Sequence, residues 1–393
     1  MMPLSLPRPI SSIANVGNAG PKPRIGWVDI ARGIAICLVV FHHAVGAALK
    51  VGDLGEAARD ADVMLENVRM PLFFFCSGLL AYWGLAKPWP TVLLNRGLVL
   101  AWVIAVWTIV FVALQQIIPI NPWTEPHDLR FLFITPYVTL WFIYAILFMT
   151  LLMRALASHR IVTQVVVILV LSAVLLVAYK IFEVRLFAAN GGLWLLVSNL
   201  ARYAMLYFAA GFWLAPMVLA LFGARRRIVA LLPIAVLAWV AEPVARDVLH
   251  FDLSLPRMIA GIPSVFLGLA VAALLSLWAP TRAVFGWLGT RTLEIFLLHS
   301  VLLGLGFMLI KPLGITSGAA ALLLLFGFGL FGSIAAARLT RVAGLHFLYT
   351  PPEWVRRYAK AVLARLRPKS QGFHDAPREL DAIVVPQSRT GLS

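Results

Sequence analysis

Long apolar runs separated by short polar connections fill most of the chain. A helix that crosses the hydrocarbon core of a bilayer needs about 20 mostly apolar residues. Segments that meet this need lie near 26–49, 68–86, 97–118, 136–153, 161–180, 193–222, 228–243, 256–279, 285–310 and 317–340. The sixth is long and is predicted to tilt or break near Gly211 and Pro216; the seventh is short. The pattern predicts an all-α integral membrane protein with about ten transmembrane helices. Ahead of it, residues 1–24 read as a flexible lead rich in Pro, Gly and Asn. That lead lacks the apolar stretch of a signal peptide, so the first span is expected to act as an uncleaved insertion signal. Residues 25–343 form the predicted membrane domain and 344–393 a basic tail. In the tail, Trp354, Val355, Tyr358, Ala361 and Val362 recur at helical spacing among Arg356, Arg357, Lys360, Arg365 and Arg367. This predicts a short amphipathic helix on the inner leaflet, with disorder from about residue 370 onward.

Composition agrees with the pattern. Hydrophobic residues make up 61% of the chain and charged residues only 13%. A soluble domain carries roughly a quarter charged residues. The net charge of +16 would point to nucleic acid in a soluble protein. Here the lipid bilayer is the expected partner, and no nucleic acid is, because the charge is distributed by loop. Alternate connections, "KPWPTVLLNR", "RALASHR", "GARRR" and "PTR", contain no acid. The others, "KVGDLGEAARDADVMLE", "NPWTEPHDLR", "KIFEVR" and "EPVARDVLHFD", hold the acids. The positive-inside rule then puts both termini in the cytoplasm, which requires an even number of spans. The two cysteines, Cys37 and Cys76, lie inside apolar runs, which argues against a disulfide framework or a cysteine-based metal site. No metal site is predicted.

Ionisable side chains inside spans are costly and mark functional candidates. The first span reads "DIARGIAICLVVFHHA" from Asp29. Arg32 and His43 are eleven residues apart, about 20° past three full turns, so they share a face roughly 16 Å apart along the axis. Asp29 sits one turn before Arg32 and can pair with it. His42 points about 80° away from Arg32. Arg69 opens the second span, with Ser77 in its middle; Arg96 opens the third; Trp141 and Tyr144 lie in the fourth; Arg202 and Tyr203 lie in the sixth. The ninth contains "WLGTRTLEIFLLHS", with Arg291, Glu294 and His299. Ser77, Trp141 and Tyr144 suit helix packing or an interface belt as well as chemistry, and Asp29 with Arg32 also suits an interfacial anchor. A histidine can take a proton from a hydroxyl, and an arginine can hold a phosphate or carboxylate at two points. Group transfer from an anionic donor and proton-coupled transport both fit these residue types, and spacing alone does not choose.

A resemblance does choose. "DIARGIAICLVVFHHA" resembles the opening motif of the acyltransferase-3 family of multipass membrane O-acyltransferases: an arginine, ten residues, then a histidine. "MPLFFFCSGLL", "TLWFIYAILF" and "WLGTRTLEIFLLHS" resemble later motifs of that family, in its order. The first two motifs look closest to the fucose 4-O-acetylase-like branch. The resemblance implies transfer of an acyl group, typically acetyl, from cytoplasmic acyl-coenzyme A to a hydroxyl of an envelope glycan or lipid-linked sugar, in a bacterial inner membrane. Acetyl-CoA or another acyl-CoA is then the donor substrate, and no permanently bound cofactor is expected. Arg32 and His43 match the motif pair, while His42 falls where the pattern has Phe or another apolar residue. Asp29, Arg32 and His43 are the expected catalytic set. Arg69, Ser77, Arg96, Trp141, Arg202, Glu294 and His299 are candidates for holding donor or acceptor. The alternative is a proton-coupled transporter or flippase of an envelope precursor.

The loop charges generate a direct test. A single cysteine at Gly55 should label with an impermeant thiol reagent on intact cells, and one at Ala224 should not. Labelling at Ala224 with protection at Gly55 would invert the topology.

Overall fold

The computed structural model describes residues 26–118, 136–189, 191–223, 228, 232–241 and 254–366. The predicted lead 1–24, the acidic connection at 119–135, the acids of "EPVARDVLHFD", Ala224 and the end of the tail lie outside them. Every regular element among the described residues is helical. In chain order these are α1 (Gly26–Ala48), α2 (Glu56–Leu85), α3 (Trp89–Leu114), α4 (Trp141–Leu156), α5 (Ile161–Ala189), α6 (Gly191–Trp213), α7 (Ala215–Gly223), α8 (Leu232–Ala241), α9 (Ser254–Leu275), α10 (Ala279–Gly289), α11 (Thr292–Ile310) and α12 (Gly318–Val342). Seven of the described helices are long and apolar enough to cross a membrane. Three shorter apolar helices, α4, α8 and the Gly261–Leu275 part of α9, fall in the fourth, seventh and eighth predicted segments. Separately, Glu353–Arg365 forms the helix α13, with Trp354 and Tyr358 exposed and Arg356, Arg357, Lys360 and Arg365 along it.

Two segments depart from the sequence reading, each for a physical reason. The second span was expected to begin near 68, but α2 starts at Glu56. Its first turns, "EAARDADVMLEN", are polar but rich in good helix formers, so the helix continues beyond the apolar stretch. Pro71 therefore lies inside α2, where it removes one backbone N–H from the ladder. The ninth span was expected as one run over 285–310. It breaks at Thr290–Arg291, where Arg291 leaves helical geometry (φ −115°, ψ 14°). The Thr290 hydroxyl donates to Trp287 O, so α10 ends there and α11 starts afresh. The sixth breaks as predicted, between α6 and α7 at Leu214.

α1 is the hub. It packs against α2, α9, α10, α11 and α12. α2 packs in turn against α6 and α9. Glycines set how closely these helices approach. A Cβ on Gly33 would lie 2.1 Å from Phe285 O of α10, and one on Gly289 would lie 1.7 Å from Asp29 O of α1. The same holds for Gly78 of α2 and Gly211 of α6, whose added Cβ atoms would meet Phe208 O at 1.9 Å and Phe75 O at 2.1 Å. Backbone-to-backbone contact of this kind is how small residues drive association where lipid supplies no hydrophobic force. At the periphery, α5 exposes Val162, Val166, Val170, Val174, Val177 and Ile181 at three- or four-residue intervals, a lipid-facing stripe. The indoles of Trp102 and Trp107 on α3 donate to Phe347 O (2.6 Å) and Leu348 O (2.7 Å), which ties the segment after α12 back onto the bundle.

Replacing Gly78 or Gly211 with Ala should therefore destabilise the protein by about 1–3 kcal/mol, the usual cost of overpacking. Gly46→Ala, with nothing within 4 Å, should be neutral. Thermal midpoints in detergent decide this; equal midpoints for all three would contradict the packing.

Candidate active site

The polar residues of α1 form two groups on one side of the helix. At its start, Asp29 Oδ1 lies 3.7 Å from Arg32 Nη1, the pairing that the one-turn spacing allows. Arg32 Nη2 also donates to Thr292 Oγ1 of α11 at 2.6 Å. The guanidinium is thus fixed by a carboxylate on its own helix and a hydroxyl on a neighbour. Two residues along α11, buried Glu294 is bonded to Arg341 at the end of α12. Arg291, just before Thr292 in sequence, stacks over Trp287 at 4.2 Å.

The second group lies roughly 16 Å along α1. The rings of His42 and His43 have centroids 5.1 Å apart, and those of His43 and His299 are also 5.1 Å apart. The three imidazoles form a row across α1 and α11. Each is held differently. His42 Nδ1 lies 2.8 and 3.1 Å from the two carboxylate oxygens of Asp62 on α2. His299 Nδ1 lies 2.7 Å from Phe296 O, one turn back on its own helix. A carbonyl only accepts, so that nitrogen carries a proton, and in the neutral ring the lone pair is on Nε2. That Nε2 is buried without a protein partner. His43 is exposed, and its ring lies between those of His42 and His299.

Around this row the site is polar towards α2 and aromatic towards α4. Arg69 Nη1 is 3.2 Å from Asp62 Oδ1, so one carboxylate serves both His42 and a buried guanidinium. Glu66, one turn below Arg69, accepts from Tyr203 Oη of α6 at 3.3 Å. On the other side, Phe142 contacts Phe73, Phe74 and Phe296 at 4.8–5.2 Å between centroids, and Phe296 lies 5.8 Å from His299. Half-buried Trp141 extends this wall, 6.2 Å from Phe74.

The structure thus gathers His43, His299 and Arg69 around one place and Asp29 with Arg32 at another; Glu294 stands next to the second. It sets Ser77, Arg96 and Arg202 on backbone carbonyls. Ser77 Oγ donates to Phe73 O on its own helix at 2.8 Å. Arg96 Nη2 donates to Leu80 O of α2 at 2.7 Å and lies over Gly84, where an added Cβ would come within 3.0 Å of its Nε. Arg202 Nε donates to Ser198 O at 3.3 Å, and its guanidinium covers the ring of Tyr179 at 5.3 Å. Arg96 and Arg202 both sit on turns wound wider than an α-helix, at Leu93–Gly97 and Leu200–Phe208. Sequence reading singled out neither Thr292 nor Arg341, and it placed Asp62 in the acidic connection before the second span. The spacing of Asp62, Glu66 and Arg69 carried a signal, since i, i+4 and i+7 share one helix face. Among the described residues no group of three His, Cys, Asp or Glu side chains could hold a metal ion.

A bundle of apolar helices with a row of imidazoles and a fixed arginine on its central helix defines a polytopic membrane protein with groups suited to proton or group transfer. A family model described as an acyltransferase domain matches residues 25–338, and the chain belongs to that family, acyltransferase 3. It is a multi-pass membrane acyltransferase. No curated protein and no solved structure matches the chain.

The Arg96 geometry makes its own prediction. Arg96→Ala removes a charged hydrogen bond that joins α3 to α2. It should lower stability by about 1.5–3 kcal/mol, read as a lower thermal midpoint in detergent. An unchanged midpoint would mean that the bond contributes nothing to holding the helices together.

Proposed function

We propose that the protein moves an acyl group, most simply acetyl, from cytoplasmic acyl-CoA to a hydroxyl of an envelope carbohydrate or lipid-linked glycan, in a bacterial inner membrane. The observation that carries this reading is the state of His43. Its side chain is exposed and stands between two other imidazoles. An imidazole left open in this way is free to act on a substrate as general base or as acyl carrier.

Arg32 supplies the other half. A guanidinium held on one side by Asp29 and Thr292 keeps donors in a fixed plane for an anionic group. Coenzyme A presents such groups at one end of a long arm and a thioester at the other. With Arg32 near the cytoplasmic mouth and His43 roughly 16 Å further along α1, the arm threads inward and brings its carbonyl to the imidazole row. The acceptor enters from the opposite end, where Asp62, Glu66, Arg69 and Tyr203 offer hydrogen bonds to sugar hydroxyls. Acyl-CoA is consumed as a substrate, and the residues named suffice for the proton and acyl movements.

His43→Ala should insert normally and lose at least about 100-fold in acetyl-CoA-dependent transfer, followed as release of free thiol. Arg32→Lys should raise the KM for acyl-CoA more than that for acceptor, because an ammonium does not reproduce a planar two-point contact. Full activity in His43→Ala would remove the reading, and normal donor kinetics in Arg32→Lys would remove the donor role.

A further inference from the structure

His42 stands where the family pattern has an apolar residue, yet here it is bound by a carboxylate. Nδ1 faces both oxygens of Asp62, which is itself held by buried Arg69. The His42 side chain is 39% exposed, and among the described residues its hydrogen bonds are all at Nδ1. An imidazole oriented through Nδ1 by a carboxylate, with the other nitrogen free, is the arrangement of a general base. Arg69 prevents Asp62 from turning away. Asp62 and Arg69 touch no part of the Arg32 group, so this assembly belongs to the acceptor end of the site.

Resting on the acyl-transfer reading, we infer that His42, oriented by Asp62, is a second catalytic base, which takes the proton from the acceptor hydroxyl next to His43. The hydroxyl O–H bond breaks with its proton going to His42 Nε2. The oxygen forms the new bond to the acyl carbon. The bond broken at that carbon is the one to sulfur, or to His43 nitrogen if the acyl group rests there first. The proton on His42 is returned to the departing coenzyme A thiolate by way of solvent. One thioester and one hydroxyl thus become one ester and one thiol. Asp62 is a positioning residue in this scheme, and His43 remains the group that meets the acyl carbon.

The test uses the full chain in detergent with acetyl-CoA and two acceptor probes. Octyl glucoside offers a sugar hydroxyl that must lose its proton, whereas hydroxylamine attacks without help from a base. His42→Phe restores the residue type of the family pattern and His42→Gln keeps polarity, so misfolding of one leaves the other. Both should lower transfer to octyl glucoside by about 100-fold and transfer to hydroxylamine by less than about 5-fold. Asp62→Asn should lower kcat with octyl glucoside by about 10-fold without raising the KM for acetyl-CoA. Equal losses on both probes, or undiminished transfer to octyl glucoside in both His42 variants, would overturn the inference and leave the acyl-transfer reading standing. A wild-type chain that consumes no acetyl-CoA with either probe would overturn both.

Discussion

Everything in this bundle follows from the charges on α1. Asp29, Arg32, His42 and His43 lie on a helix whose other residues are almost all apolar. In hydrocarbon each such group is expensive unless a partner reaches it. The partners come from other helices: Thr292 from α11 for Arg32, Asp62 from α2 for His42, and the His299 ring from α11 for His43. α1 must therefore sit at the centre, and the helices that complete its polar groups must surround it. The glycine contacts at Gly33 and Gly289 serve that end, because they bring α10 against the start of α1 at backbone distance. Peripheral helices such as α5 carry no comparable demand and present a plain apolar face to lipid.

The same constraint explains how much was readable in advance. Hydrocarbon thickness writes itself into the sequence as run length, so the apolar segments were visible, and so was the break near Gly211. The Asp29–Arg32 pair and the shared face of Arg32 and His43 follow from helical periodicity within one segment. What stayed hidden needs a second helix. Thr292 is an ordinary threonine until Arg32 reaches it. Arg341 looks like the usual basic end of a helix until it meets Glu294. Asp62 read as a loop acid because hydropathy ends the second span near 68, whereas the helix itself runs back to Glu56. Backbone geometry was equally illegible. Nothing local signals the wide turns that carry Arg96 and Arg202, or the break at Arg291, which separates two apolar stretches that hydropathy joins.

The row of imidazoles has a logic of its own. Neighbouring residues on a helix diverge by about 100°, so His42 and His43 should face different surroundings. They do: one is turned to α2 and the other to α11, yet their rings remain 5.1 Å apart. The outer members are immobilised, His42 by a carboxylate and His299 by a backbone carbonyl. The central one lies between those two rings, and among the described residues no hydrogen bond to it is seen. A reacting group whose neighbours are fixed loses little freedom when substrate arrives, which is the preorganisation that group transfer requires. Polarity is also divided around the row: Asp62, Glu66, Arg69 and Tyr203 lie on one side, and Phe73, Phe142 and Phe296 on the other. A transferase that spans a membrane has to keep an activated acyl group from hydrolysis while admitting a far more hydrated acceptor. Under the acyl-transfer reading, the aromatic wall answers the first demand and the charged wall the second, with His43 between them.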